Sequence, residues 1–108
     1  GGEVYEVIYV PLNQREIMAD IPARLGIPVI IVADAALRTI NHTVLTINEL
    51  RRRDVEVRGV IVNRVPDDPG ILIRDNFKMI EKLGRTEILA LAGTNRGFIN
   101  DLGLRHIF

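Results

Sequence analysis

Cysteine is absent from all 108 residues. That excludes disulfides, thiolate metal sites and any fold stapled by cross-links. Tryptophan is absent as well, and aromatic residues make up 5% of the chain against 47% hydrophobic. The core must therefore be aliphatic, which favours buried parallel strands over an aromatic-rich antiparallel sandwich. Neither sign of charge is in excess, with 14 basic and 14 acidic residues. A nucleic-acid surface needs a basic excess, so nucleic acid is not an expected partner. No apolar run approaches the roughly 20 residues of a membrane span, and no basic-then-apolar leader opens the chain. A cytoplasmic location without membrane contact is the expectation.

The length allows one small domain, 1–108. Strands are expected at 4–10, 27–33, 55–62 and 87–92. The second of these, Ile27-Pro-Val-Ile-Ile-Val-Ala, is apolar on both faces, as a central parallel strand must be. Helices are expected at 13–25, shortened or kinked by Pro22, at 39–53, and from about Ile73 to Gly84. Gly26 and Gly84 are read as helix stops. Arg51, Arg52 and Arg53 close the second helix, where they complement the negative end of its dipole. Pro66, Asp67, Asp68, Pro69 and Gly70 mark a loop, with the two aspartates simply solvated. The tail from Gly93 onward is expected to hold one short helix near 98–102. The order β-α-β-α-β-α-β predicts an α/β fold, three-layer α/β/α, with a mostly parallel sheet and right-handed crossovers.

Ligands of open α/β sheets bind beyond the carboxyl ends of the strands. The segment from Asp34 to Thr43 lies there and leads into a helix start. The first N–H groups of that helix lack intrahelical acceptors, so a carboxylate or phosphate can dock on them, aided by Arg38 and Asn41. The competing reading is structural: Thr39 caps the helix, and Asn41 and His42 are exposed first-turn residues. His42 and His106, the two histidines, have no metal-ligand spacing, and no serine sits in a nucleophile elbow. No G-x-x-x-x-G-K-[ST] occurs, and the lysines, Lys78 and Lys82, both fall on one helix. Nothing here is placed to grip a nucleotide β- or γ-phosphate.

Several stretches together resemble dethiobiotin synthetase. They are Val7-Ile-Tyr-Val-Pro-Leu-Asn, Met18-Ala-Asp, Leu25-Gly-Ile-Pro-Val-Ile-Ile-Val-Ala, Thr39-Ile-Asn-His-Thr-Val-Leu-Thr and Val57-Arg-Gly-Val-Ile-Val-Asn. The resemblance runs from about Val7 to Ala92. It implies the carboxyl-terminal half of a P-loop NTPase-like fold. It also implies a ligase that uses ATP and Mg²⁺ to close a ureido ring on 7,8-diaminononanoate with CO₂. On this resemblance Thr39, Ile40 and Asn41 receive the substrate carboxylate, commonly across a homodimer interface, and Asn63 contacts adenine. The family's P-loop half, with its lysine and metal-binding acids, has no counterpart here, so ATP binding by this chain alone is not expected. The glycine usual before Ile-Asn-His is replaced, with Arg38 and Thr39 on the approach. Three readings follow: half of a ligase completed by another segment or chain, a non-catalytic regulatory or assembly domain, or a module binding a different small carboxylate. A half-fold leaves a sheet edge unpaired and an apolar face bare, so dimerisation is expected.

Overall fold

The computed structural model describes residues 4–11, 15, 26–35, 39–66, 70–93 and 97–99, without the side chains of residues 39 and 97–99. Among the described residues, five strands and two helices with given bounds follow one another as β1 (Glu6–Tyr9), β2 (Val29–Asp34), α1 (Thr39–Arg52), β3 (Val57–Val65), α2 (Ile71–Gly84), β4 (Ile88–Gly93) and β5 (Gly97–Ile99). They form one sheet in the order β1-β2-β3-β4-β5. The first four strands are parallel, and β5 runs antiparallel to β4. The expected α/β fold with a mostly parallel sheet is borne out.

Strand β2 shows why the sequence folds this way. It lies between β1 and β3, and both Ile30 (4% exposed) and Ile31 (fully buried) are covered, one on each face. Only a central strand can absorb such a continuous apolar run. Ile31, Ala33, Val60 and Val62 join Ile47 and Leu50 of α1 and Ile80 of α2 in one aliphatic core, with Phe77 packed against it. Helices α1 and α2 lie side by side over that core and touch each other.

The chain departs from the sequence expectation at two places, the end of β3 and the stretch after β4. Of the helix expected at 13–25, only Arg15 is described, and it is helical. Strand β3 does not end at Val62 but continues through Asn63 to Val65. Its register with β4 shifts between Val62 and Val65, where Arg64 takes a left-handed conformation (φ 56°). This bulge returns Val65 to the ladder opposite Gly93, with its side chain buried. Near the expected helix at 98–102, Gly97–Ile99 instead forms β5, and the remainder of that stretch lies outside the described residues. Pairing of Ala92 with Phe98 supplies strand partners that no three-residue pattern could announce.

The helix ends also differ in detail. Gly84 stays helical as the last residue of α2, and Arg85 takes the left-handed position after it (φ 46°). A Cβ at 84 would crowd the neighbouring helix, standing 2.8 Å from Cδ1 of Ile47 on α1. Arg51 and Arg52 do occupy the last turn of α1, as expected. Their partners, however, are particular groups: Arg51 reaches the end of α2, and Arg52 and Arg53 both bond Glu49.

Candidate functional site

The candidate site sits at the carboxyl ends of β2 and β3 and at the start of α1. Parallel pairing sets Asp34 opposite Asn63, and the Ala35 N–H donates to the Asn63 carbonyl at 2.8 Å. The end of β2 is thereby locked to β3 at Asn63, two residues before that strand ends at Val65.

Asn63 is half-buried, and its side chain is held by the bulge that follows it. The Arg64 N–H donates to Asn63 Oδ1 at 2.9 Å, and Arg64 itself takes the left-handed conformation. The amide oxygen is thus engaged internally, and the two Nδ2 donors are what Asn63 offers to a ligand. The Arg64 side chain turns back over the neighbouring strand, with Nε 3.3 Å from Asp34 Oδ2. That guanidinium is 65% exposed, so the pair stabilises the fold little. Its main effect is to place a positive group beside Asn63 at the mouth of the sheet. The sequence carried no sign of this pair, since a left-handed arginine has no local signature.

Helix α1 begins at Thr39, whose side chain lies outside the described set, as do residues 36–38 and with them Arg38. Ile40 is half-buried against the core, Asn41 is exposed, and His42 is half-buried. The first turn contains no acidic residue to compete with an incoming anion. The first N–H groups lack acceptors within the helix itself, and the dipole adds partial positive charge at this end. The side-chain amide of Asn41 stands in solvent at the same turn. The structure thus brings Ile40 and Asn41 to one helix start, and Asn63 to an adjacent strand end, on the same edge of the sheet.

One turn further in, Thr43 is fully buried, and its Oγ1 has no hydrogen-bond partner among the described residues. Thr46, also fully buried, donates to the His42 carbonyl at 2.7 Å. Among the described residues, no group of three or more His, Cys, Asp or Glu could hold a metal ion. Lys78 and Lys82 are exposed on α2, and neither belongs to the rim formed by Asp34, Asn63 and α1. Among the described residues, this rim holds the helix N–H groups, the Asn41 and Asn63 amides and the Arg64 guanidinium, and no lysine.

A family model described as an AAA domain matches residues 3–94. The ATP-dependent dethiobiotin synthetase of Anaeromyxobacter dehalogenans (strain 2CP-C) is 44% identical over 86 residues, covering 78% of this chain and 38% of that protein. The dethiobiotin synthetase of Methanocaldococcus jannaschii is 36% identical over 92 residues, covering 84% of this chain and 43% of the relative. The bifunctional biotin biosynthesis protein of Bordetella avium is 41% identical over 83 residues, which is 17% of its length. The chain thus spans about two fifths of the single-function relatives it matches.

Proposed function

The chain belongs to the dethiobiotin synthetase family, and from that premise we propose that it is the carboxyl-terminal part of an ATP-dependent carboligase closing a ureido ring on 7,8-diaminononanoate with CO₂. The observation that supports this is the shared rim. An acid-free helix start at Thr39, Ile40 and Asn41 stands beside a strand end that presents the Nδ2 donors of Asn63. The substrate's carboxylate docks on the first N–H groups of α1, with the Asn41 amide beside them. That contact orients the diamine end of the substrate away from the helix. Asn63 meets an acceptor atom of the nucleotide base.

ATP with Mg²⁺ would supply the phosphoryl group that activates a carbamate. These residues lack the loop and lysine for it, so that chemistry belongs to a P-loop half outside them. The chain then acts as one α/β domain of a cytoplasmic enzyme, completed by that half.

A second reading needs only the helix start and the strand position of Asn63. The domain would be a non-catalytic regulatory or assembly unit that retains the carboxylate cradle.

Calorimetric titration of the chain with 7,8-diaminononanoate, and separately with Mg²⁺ and ATP, tests the site. Binding of the acid, weakened by Asn41→Ala, is the expected result. No binding of the acid, or ATP hydrolysis by the 108 residues alone, sinks the proposal. Adding the P-loop half of a relative separates the two readings. Ring closure supports the ligase, and its absence with the acid still bound supports the assembly unit.

A further inference from the structure

The hydrogen bonds near the end of β3 leave one kind of group for a ligand. A backbone N–H can only donate, so the Asn63 side-chain atom 2.9 Å from the Arg64 nitrogen is its amide oxygen. The amide is therefore held in one orientation, with Oδ1 drawn to the main chain and the Nδ2 donors left over. Arg64 continues the pattern. Its Nε lies 3.3 Å from Asp34 Oδ2, which leaves the N–H donors of both Nη atoms on a side chain that is 65% exposed. The same contact engages Asp34, the carboxylate paired with Asn63 in the strand register. Asn63 and Arg64 thus offer donors from adjacent residues, and the acidic group beside them is already occupied.

The two common purines differ at the edge such a pair reads. Adenine shows an acceptor at N7 and an amino donor at N6, whereas guanine shows acceptors at both N7 and O6. An asparagine that reads adenine in two places uses both halves of its amide, the oxygen on the amino group and the nitrogen on N7. Here the oxygen half is engaged by the Arg64 N–H, which weakens that contact. Guanine asks only for donors. The Asn63 Nδ2 group and the Arg64 guanidinium supply them, and arginine on O6 and N7 is the commonest base-specific contact. The adenine amino group in the same place meets the guanidinium donor to donor.

We propose that Arg64 sets the base preference of this strand end, which takes a 6-oxopurine nucleotide (guanine or hypoxanthine) in preference to an adenine nucleotide. The inference rests on the reading of Asn63 as a base contact. It narrows that reading from any acceptor of the base to the paired O6 and N7 of a 6-oxopurine. Phosphoryl transfer leaves the base unchanged, so a guanine nucleoside triphosphate supplies the same group to a carbamate as ATP does.

Chemical-shift titration of the isotope-labelled chain with AMP, GMP and IMP tests it. The three share ribose and phosphate, and IMP keeps O6 and N7 but lacks the amino group of guanine. GMP and IMP are expected to bind roughly tenfold more tightly than AMP, the scale of one well-paired base edge, and to shift the Asn63 Nδ2 resonances. Arg64→Met keeps the aliphatic stem and places a Cβ at the same left-handed position, but removes the donors. It should bring the ratio of GMP to AMP affinity down to about one. Asn63→Asp keeps an acceptor for the Arg64 N–H and removes the Nδ2 donors, and should lower the ratio as well. Circular dichroism checks that the fold is retained. Equal affinity for the three, tighter AMP, a preference confined to GMP, or a ratio unmoved by Arg64→Met overturns the base preference and leaves Asn63 as a base contact. Failure of all three to shift the Asn63 Nδ2 resonances sinks the base contact itself, and the preference with it.

Discussion

The guanidinium of Arg51, in the last turn of α1, donates to the carbonyl of Gly84, the last residue of α2, and to the next carbonyl, that of Arg85, at 2.7 Å. One side chain thus closes orphan carbonyls on a neighbouring helix and joins the two helices at their carboxyl ends. Partial burial lowers the Arg51 pKa, but the group stays charged at any ordinary pH. Arg51→Ala should destabilise the fold by about 1–3 kcal/mol, since it strips a charged donor from two carbonyls. Arg51→Lys should recover less than half of this, because an ammonium cannot span both acceptors as the planar fork does. Urea denaturation of the three proteins checks the order.

Two glycines test the packing of the sheet and helices separately. At Gly59 a Cβ would stand 2.5 Å from Cγ of Leu89 and 2.9 Å from the Glu87 carbonyl. Neither the branch point of a leucine nor a strand carbonyl can move aside easily. Gly59→Ala should therefore cost about 1–3 kcal/mol. At Gly84 the nearest atom is the terminal Cδ1 of Ile47, which can rotate away. Gly84→Ala should cost under about 1 kcal/mol, because a better helix former offsets part of the crowding. Equal losses at the two sites would contradict the geometry.

These contacts show where sequence reading succeeds and where it stops. The run from Val29 to Asp34 and the helix from Thr39 to Arg52 were legible because apolar periodicity is local. The place of Asn63 and Asn41 at one edge followed from the rule for strand ends. The reason for Gly84 was not legible, because its constraint comes from Ile47, far away along the chain. The extension of β3 to Val65 was hidden for a similar cause: the loop-like residues after Asn63 gave no hint that a left-handed arginine would return the strand to its partner. Strand β5 depends on pairing with β4 across a gap, which short patterns do not encode.

The left-handed backbone at Arg64 makes its own prediction. A residue with a Cβ is strained there, and glycine is not. Arg64→Gly should be more stable than Arg64→Ala by about 1 kcal/mol, both having lost the exposed pair with Asp34. Chemical denaturation of the two variants decides the matter. If alanine is at least as well tolerated, the bulge that holds the Asn63 amide is not as described.

Glu49 sets an acid-side dependence. The hydrogen bond from Arg52, followed by that from Arg53, holds its carboxyl below the usual glutamate range. The folded state therefore binds a proton less readily than the unfolded chain. The stabilisation is present above the ordinary glutamate pKa and is lost as pH falls through the lowered folded value. Glu49→Gln should be less stable than wild type at neutral pH, with the gap closing in acid. Thermal melts across that range provide the measurement, and a gap that widens on acidification would reverse the sign.

Thr43 and Thr46 are both fully buried on α1, yet they should respond oppositely to the same substitution. The Thr43 hydroxyl has no partner among the described residues, so burial deprives it of water without repayment. Thr43→Val keeps the shape, removes the unpaired group and should stabilise the fold by about 1 kcal/mol. The Thr46 hydroxyl donates to the His42 carbonyl at 2.7 Å, and Thr46→Val removes that bond. It should lower stability by up to about 1 kcal/mol. Differential scanning calorimetry of the two variants reads the contrast directly. A loss of stability in Thr43→Val would mean that this hydroxyl, one turn inside the proposed carboxylate cradle, is satisfied by a polar partner, and that the interior of the helix start is wetter than an aliphatic core.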